Sequence, residues 1–198
     1  MKDTILIPFI FFIIISAASC DRTKDANTSL PIGYKFFNLE QAGWKSKSAS
    51  HNLSNIEYTA TWVPIQYYII KNSGNGNPSL IDSIYQSHKD ERVIEVEFKH
   101  TAKDDLLKTQ YTQMDYESAV KYMSFSLEKD FVAITQLGDT INCSGVTFER
   151  NFKVAPFKRI LLHFGGIPEN DQIQLVYHDK LFSNGILKFK FTEKPLKL

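Results

Sequence analysis

Cysteine is scarce in this chain: Cys20 and Cys143 are the only two in 198 residues. So small a number excludes a disulfide framework and the paired cysteines of a structural zinc site. The histidines are His51, His88, His100, His163 and His178, and no two stand at i+2, i+3 or i+4, so local spacing writes no metal site. His163 and His178 fall on strands expected to be neighbours, and only the fold can bring them together. There is no G-x-S-x-G elbow, no HExxH and no nucleophile with a flanking base. The run Asn72-Ser73-Gly74-Asn75-Gly76-Asn77 lacks the GxGxxG and P-loop spacings that cradle phosphate. Charge of one sign is missing too: Lys and Arg number 23, Asp and Glu 22, for a net charge of +1. With no basic cluster interleaved with aromatics, nucleic acid is not an expected partner. No apolar run reaches the roughly 20 residues of a membrane-spanning helix, and no period of about 20–50 residues repeats.

What the chain does have begins at its first residue. Met1-Lys2-Asp3 is polar, Ile5–Ile15 is almost unbroken aliphatic and aromatic, and Ser16-Ala17-Ala18-Ser19 is a run of small residues ending at Cys20. A charged start, an apolar stretch of about 7–15 residues and small residues before a cut define a secretory signal. The stretch Ser16–Cys20 resembles the lipobox of bacterial lipoproteins, with Ser16 where that class usually carries Leu. The resemblance covers the first 20 residues alone and implies acylation of Cys20 by palmitate-type chains after cleavage before it. Several acyl chains, at about 0.8 kcal/mol per buried CH₂, hold a protein durably on a bilayer. The expected organisation is therefore a signal peptide over 1–19, a lipidated Cys20 with a polar tether over 20–29, and one globular domain over 30–198. The expected location is the bacterial cell envelope, on the inner, outer or surface face.

Within the domain, Leu30–Trp44 reads as a lead-in with a short helical turn over Leu39–Ala42. Ile56–Val63 alternates with period two, as a half-buried strand does. Pro64 suggests an edge or bulge, and Ile65–Ile70 a second extended run. Asn77-Pro78 opens a helix over Pro78–Lys89. Val93–Lys99 alternates strictly, sending Glu95, Glu97 and Lys99 outward. Thr101 with Asp104 resembles a capping pair for a brief helix through Leu106-Leu107. Asp115 caps a longer helix whose stripe is Tyr116, Ala119, Val120, Met123 and Leu127. Strands are then expected over Phe131–Gln136, Val146–Val154, Arg159–Phe164, Gln172–His178 and Ile186–Thr192, joined by short connections that imply antiparallel neighbours. The fold class is α+β, a mainly antiparallel β-sheet with two or three short helices inserted mid-chain. A β-sandwich with helical insertions is the alternative.

Few residues announce chemistry. Glu95 and Glu97 protrude from one strand face about 7 Å apart, a spacing used in glycoside hydrolysis and shared by any solvated strand. Arg150 falls on the apolar face of Val146, Phe148, Phe152 and Val154 and is the first choice for a ligand contact. A buried arginine there needs a carboxylate or an anionic ligand, while a strand end would turn it outward. Cys143 is expected to be a buried free thiol. Asp82-Ser83-Ile84 and Asp139-Thr140-Ile141 match the Asp, Ser/Thr, aliphatic acceptor pattern of some bacterial O-glycosylation systems. From Arg150 onward nine Lys/Arg face four Asp/Glu, which gives the C-terminal strands a basic bias. No cofactor or metal is implied. The leading expectation is a non-catalytic, envelope-anchored protein that binds a partner or supports an assembly. A carrier of a lipid or other apolar ligand is one alternative, and an envelope hydrolase using Glu95, Glu97 and the histidines is another.

Overall fold

The computed structural model describes residues 47–73, 78–150, 156–168 and 171–191. The signal stretch, Cys20, the tether, the Leu39–Ala42 turn, Phe152 and Val154 lie outside the described residues. The chain is α+β with antiparallel pairing throughout the described sheets. Its elements in order are β1 (Lys47–Leu53), β2 (Ile56–Val63), α1 (Ile65–Ser73), α2 (Pro78–His88), β3 (Arg92–His100), α3 (Thr109–Thr112) and α4 (Tyr116–Phe125). A 3-10 turn (Leu127–Asp130) leads into β4 (Phe131–Thr135), β5 (Thr140–Asn142), β6 (Gly145–Glu149), β7 (Phe157–Phe164), β8 (Ile173–Asp179) and β9 (Gly185–Lys190).

The strands form two sheets, ordered β1-β2-β3-β7-β6 and β5-β4-β8-β9. Alternation puts Ile56, Tyr58, Ala60 and Trp62 of β2 inward, beside Phe98, Val96 and Ile94 of β3. From the second sheet Phe131, Ala133, Leu175, Tyr177, Leu187 and Phe189 meet them in one shared core. The two sheets thus pack on a common core, the arrangement expected of the sandwich alternative, with helices inserted. Aromatic rings fill the centre. Phe98 lies edge-on to Tyr58 at 5.7 Å and to Tyr177 at 5.9 Å, and Tyr177 stacks on Phe131 at 4.2 Å. Helix α4 adds Ala119 and Met123 to the core and lies against β6. Its start is as expected: the Asp115 side chain accepts from the Ser118 amide at 2.9 Å.

Three expectations fail for physical reasons. Ile65–Ile70 is helix α1, although it is rich in residues that favour strands. Pro64 ends β2, and its carbonyl accepts from the Tyr67 amide at 3.0 Å, the first turn of the helix. Ile69 and Ile70 then bury against Ile81 of α2 in a second, smaller cluster, and that packing overrides propensity. Second, Thr101 with Asp104 opens no helix. Residues 101–108 are turns and irregular backbone, and Asp104 instead receives the Tyr111 hydroxyl at 2.9 Å and the Lys108 ammonium. Third, the strand expected over Val146–Val154 ends at Glu149, and Arg150 is exposed just past it, the strand-end outcome rather than the pocket one. Three further elements were not expected from the sequence: α3, β5 and β1. Strand β1 pairs with β2 across a two-residue turn in which Ser54 and Asn55 have φ of 49° and 65°. Both positive values match the turn whose twist suits a hairpin.

Candidate functional site

The outward face of the first sheet carries the densest polar grouping. Strand alternation sends Glu57, Thr59 and Thr61 of β2 and Glu95, Glu97 and Lys99 of β3 to the same side. Register sets Glu57 opposite Lys99, Thr59 opposite Glu97 and Thr61 opposite Glu95. On the next strand Arg159 stands opposite Glu97 and, from the other side, opposite Glu149 of β6. Its guanidinium reaches three carboxylates: Nη2 lies 3.0 Å from Glu97, Nε 3.1 Å from Glu95 and Nη1 3.5 Å from Glu149. Of these, the Nε contact is an ion pair off the line of a hydrogen bond. The guanidinium also lies 4.8 Å from the Phe157 ring centre.

Between β2 and β3 this face sinks into a half-open trough of about 150 Å³, lined by Glu57, Thr59, Thr61, Glu95, Glu97 and Lys99. Hydroxyl pairs extend it to the sheet edge, with Ser48 and Thr61 at 2.8 Å and Ser50 and Thr59 at 2.9 Å. Lys99 is only loosely held, 4.0 Å from Glu57. Helix α1 brings Tyr68 and Lys71 into electrostatic range of Glu95. Burial pushes the Glu95 carboxyl above its ordinary range, the Arg159 charge opposes this, and Glu149 and Glu97 add to the rise. Burial, then the Glu95 charge, raises the Tyr68 phenol well above its ordinary value, and its hydroxyl is sealed from solvent without a hydrogen-bond partner among the described residues.

Glu95 and Glu97 are therefore on one face as expected, but both contact a guanidinium that they share with Glu149. The strands of His163 and His178, expected to be neighbours, lie in different sheets, and the two histidines stay separate. His163 is on the outward row of β7 in the first sheet and His178 on that of β8 in the second, with the core between. Burial holds the His163 imidazole below its ordinary range. Among the described residues no group of three or more His, Cys, Asp or Glu is arranged to hold a metal. Cys143 is half-buried and has no disulfide; burial raises its thiol, which lies 3.1 Å from the Gly145 carbonyl. A protonated thiol in such a setting is a poor nucleophile. Ser83 on α2 and Thr140 at the start of β5 are both exposed.

Sequence reading missed two buried cations, Arg92 and Lys158. Lys158 is 4 % exposed on the inward row of β7 and pairs with Asp105 at 3.3 Å. A signal existed in Lys158-Arg159: adjacent residues of a strand face opposite sides, so one of the two had to point inward. Comparisons with known proteins give no relative, since no family model, curated protein or solved structure matches the chain.

Arg159→Met should lower stability by about 2 kcal/mol near pH 7, since three part-buried carboxylates would then face one another without their cation. The sign of its pH dependence follows from the raised carboxylate pKa. The folded variant binds protons more readily than the unfolded chain, so its deficit grows as pH rises and shrinks toward about pH 5. Urea unfolding at both pH values checks this, and a pH-independent deficit would count against a repulsive origin.

Proposed function

We propose that this chain is a lipid-anchored protein of the bacterial cell envelope whose folded domain binds a partner or ligand rather than catalysing a reaction. The trough on the outer face of the first sheet carries the reading. Its most catalytic-looking residues, Glu95 and Glu97, are both ion-paired to Arg159, which ties them with Glu149 into one charge cluster rather than holding them apart as an acid and a base. An apolar carrier is less favoured, because the rings of Tyr58, Phe98, Phe131 and Tyr177 occupy the space between the sheets. Anchoring at Cys20 rests on the Ser16–Cys20 stretch. Among the described residues no helix is long and apolar enough to cross a membrane.

The test compares the full chain with Cys20→Ala in a bacterial host fed labelled palmitate. The wild type should carry label and sediment with membranes. The variant should carry none and leave the membrane fraction. Label on the variant, or an unlabelled soluble wild type, would remove the anchor. Co-purification with the anchor intact then reads the binding role, and a chain that is always recovered alone would count against it.

A further inference from the structure

We infer that the trough between β2 and β3 takes a neutral polyhydroxylated ligand, a saccharide. This rests on the domain being a binding module and adds the ligand's chemical class. The lining contains no apolar side chain, only carboxylates, threonines and one lysine. An acyl chain or aromatic ligand would desolvate these groups and satisfy none of them. An anion would meet three carboxylates in the lining, and the nearest guanidinium is already held by Glu95, Glu97 and Glu149. A metal ion needs carboxylates that converge on a common point, and here Glu95 and Glu97 turn to Arg159 while Glu57 lies beside Lys99.

What remains is a field of alternating acceptors and donors. Glu57, Thr59 and Thr61 run along one strand, with Lys99, Glu97 and Glu95 opposite. A carboxylate has about four lone-pair sites, so its bond to Arg159 leaves others free. Each threonine hydroxyl has one serine partner and keeps further capacity. Lys99 has three donors, and its nearest carboxylate is 4.0 Å away. A sugar hydroxyl both donates and accepts, so neighbouring hydroxyls can give to a glutamate while taking from Lys99 or a threonine. Because the ligand carries no charge, such binding depends little on salt, whereas an ionic ligand's would depend strongly.

The experiment titrates the full mature protein, solubilised with its anchor, by calorimetry at low and high salt. The probes are neutral gluco-, manno-, xylo- and N-acetylglucosamine oligosaccharides, with spermidine and an acidic oligosaccharide as charged controls. At least one neutral sugar should bind saturably, with a salt effect below about twofold. Thr59→Val with Thr61→Val, which keeps shape and strand preference, should weaken it about tenfold with an unchanged melting temperature. If that variant fails to fold, Lys99→Met serves, and weakening is again expected. The inference is overturned if no neutral sugar of the panel binds, if binding survives the variants, or if only a charged control binds. A partner retained in the co-purification alongside no sugar binding removes the saccharide and leaves the binding role standing.

Discussion

Asp179→Ala is expected to destabilise the protein by about 4 kcal/mol. Asp179 is 4 % exposed at the end of β8, and its carboxylate is the junction between the two sheets. It accepts the Tyr58 hydroxyl at 2.7 Å, from the first sheet, and the Tyr177 hydroxyl at 2.9 Å, from the second. The Phe182 and Asn184 amides add bonds at 2.9 and 3.3 Å, and the Asn184 side chain donates to the Tyr58 oxygen at 2.6 Å. Burial of the Tyr58 and Tyr177 phenols raises their pKa well above the ordinary value, so both remain hydrogen-bond donors at any working pH. Removing the acceptor strands four donors in or near the core, each costing about 1–3 kcal/mol, partly relieved by entering water. Denaturant unfolding with an unchanged slope measures the effect. A loss below about 1 kcal/mol would mean that the network does not carry the junction.

Phe98→Ala should cost a similar amount, about 3–5 kcal/mol, by a different mechanism. The ring is fully buried and touches rings from both sheets and from the segment after β8, with Phe182 at 6.0 Å. Its loss leaves a cavity between elements already pinned by their backbone ladders, so collapse is limited. Phe98→Leu should retain most of the stability. Because Tyr58 contacts both Phe98 and Asp179, the double variant should not be additive, and the coupling should exceed about 0.5 kcal/mol. Strict additivity would show that the ring cluster and the polar junction act independently.

Strands with strict alternation were legible without a structure. Ile56–Val63 and Val93–Lys99 carry their burial pattern in their residue types, and Asp115 announces its helix through its side chain. Elements decided by distant contacts were not. Ile65–Ile70 looks extended until Ile81 is known to pack on it. The lip of the site was legible in Glu95 and Glu97, but its centre was not, because Arg159 meets them only through a register between strands far apart in the chain. Arg150 drew attention through an apolar run that reads as one strand, yet β6 stops before it. The Asp179 junction joins residues 121 positions apart, and no local pattern signals that.

The two sheets are interleaved in the chain. β1 to β3 belong to the first, β4 and β5 to the second, β6 and β7 to the first, and β8 and β9 to the second. The central β3 therefore waits for β7, and β4 for β8, before either sheet has its middle. At the rim, His51 of β1 donates to the Lys188 carbonyl of β9, 137 residues later. Such high contact order slows folding, because loop closure must precede the contacts that reward it. A portion ending after β7 holds every strand of the first sheet but lacks β8 and β9, so truncation before β8 leaves the second sheet unfinished and β4 with an open edge. The core shared by the two sheets is therefore complete only once β8 and β9, the last described strands, are in place.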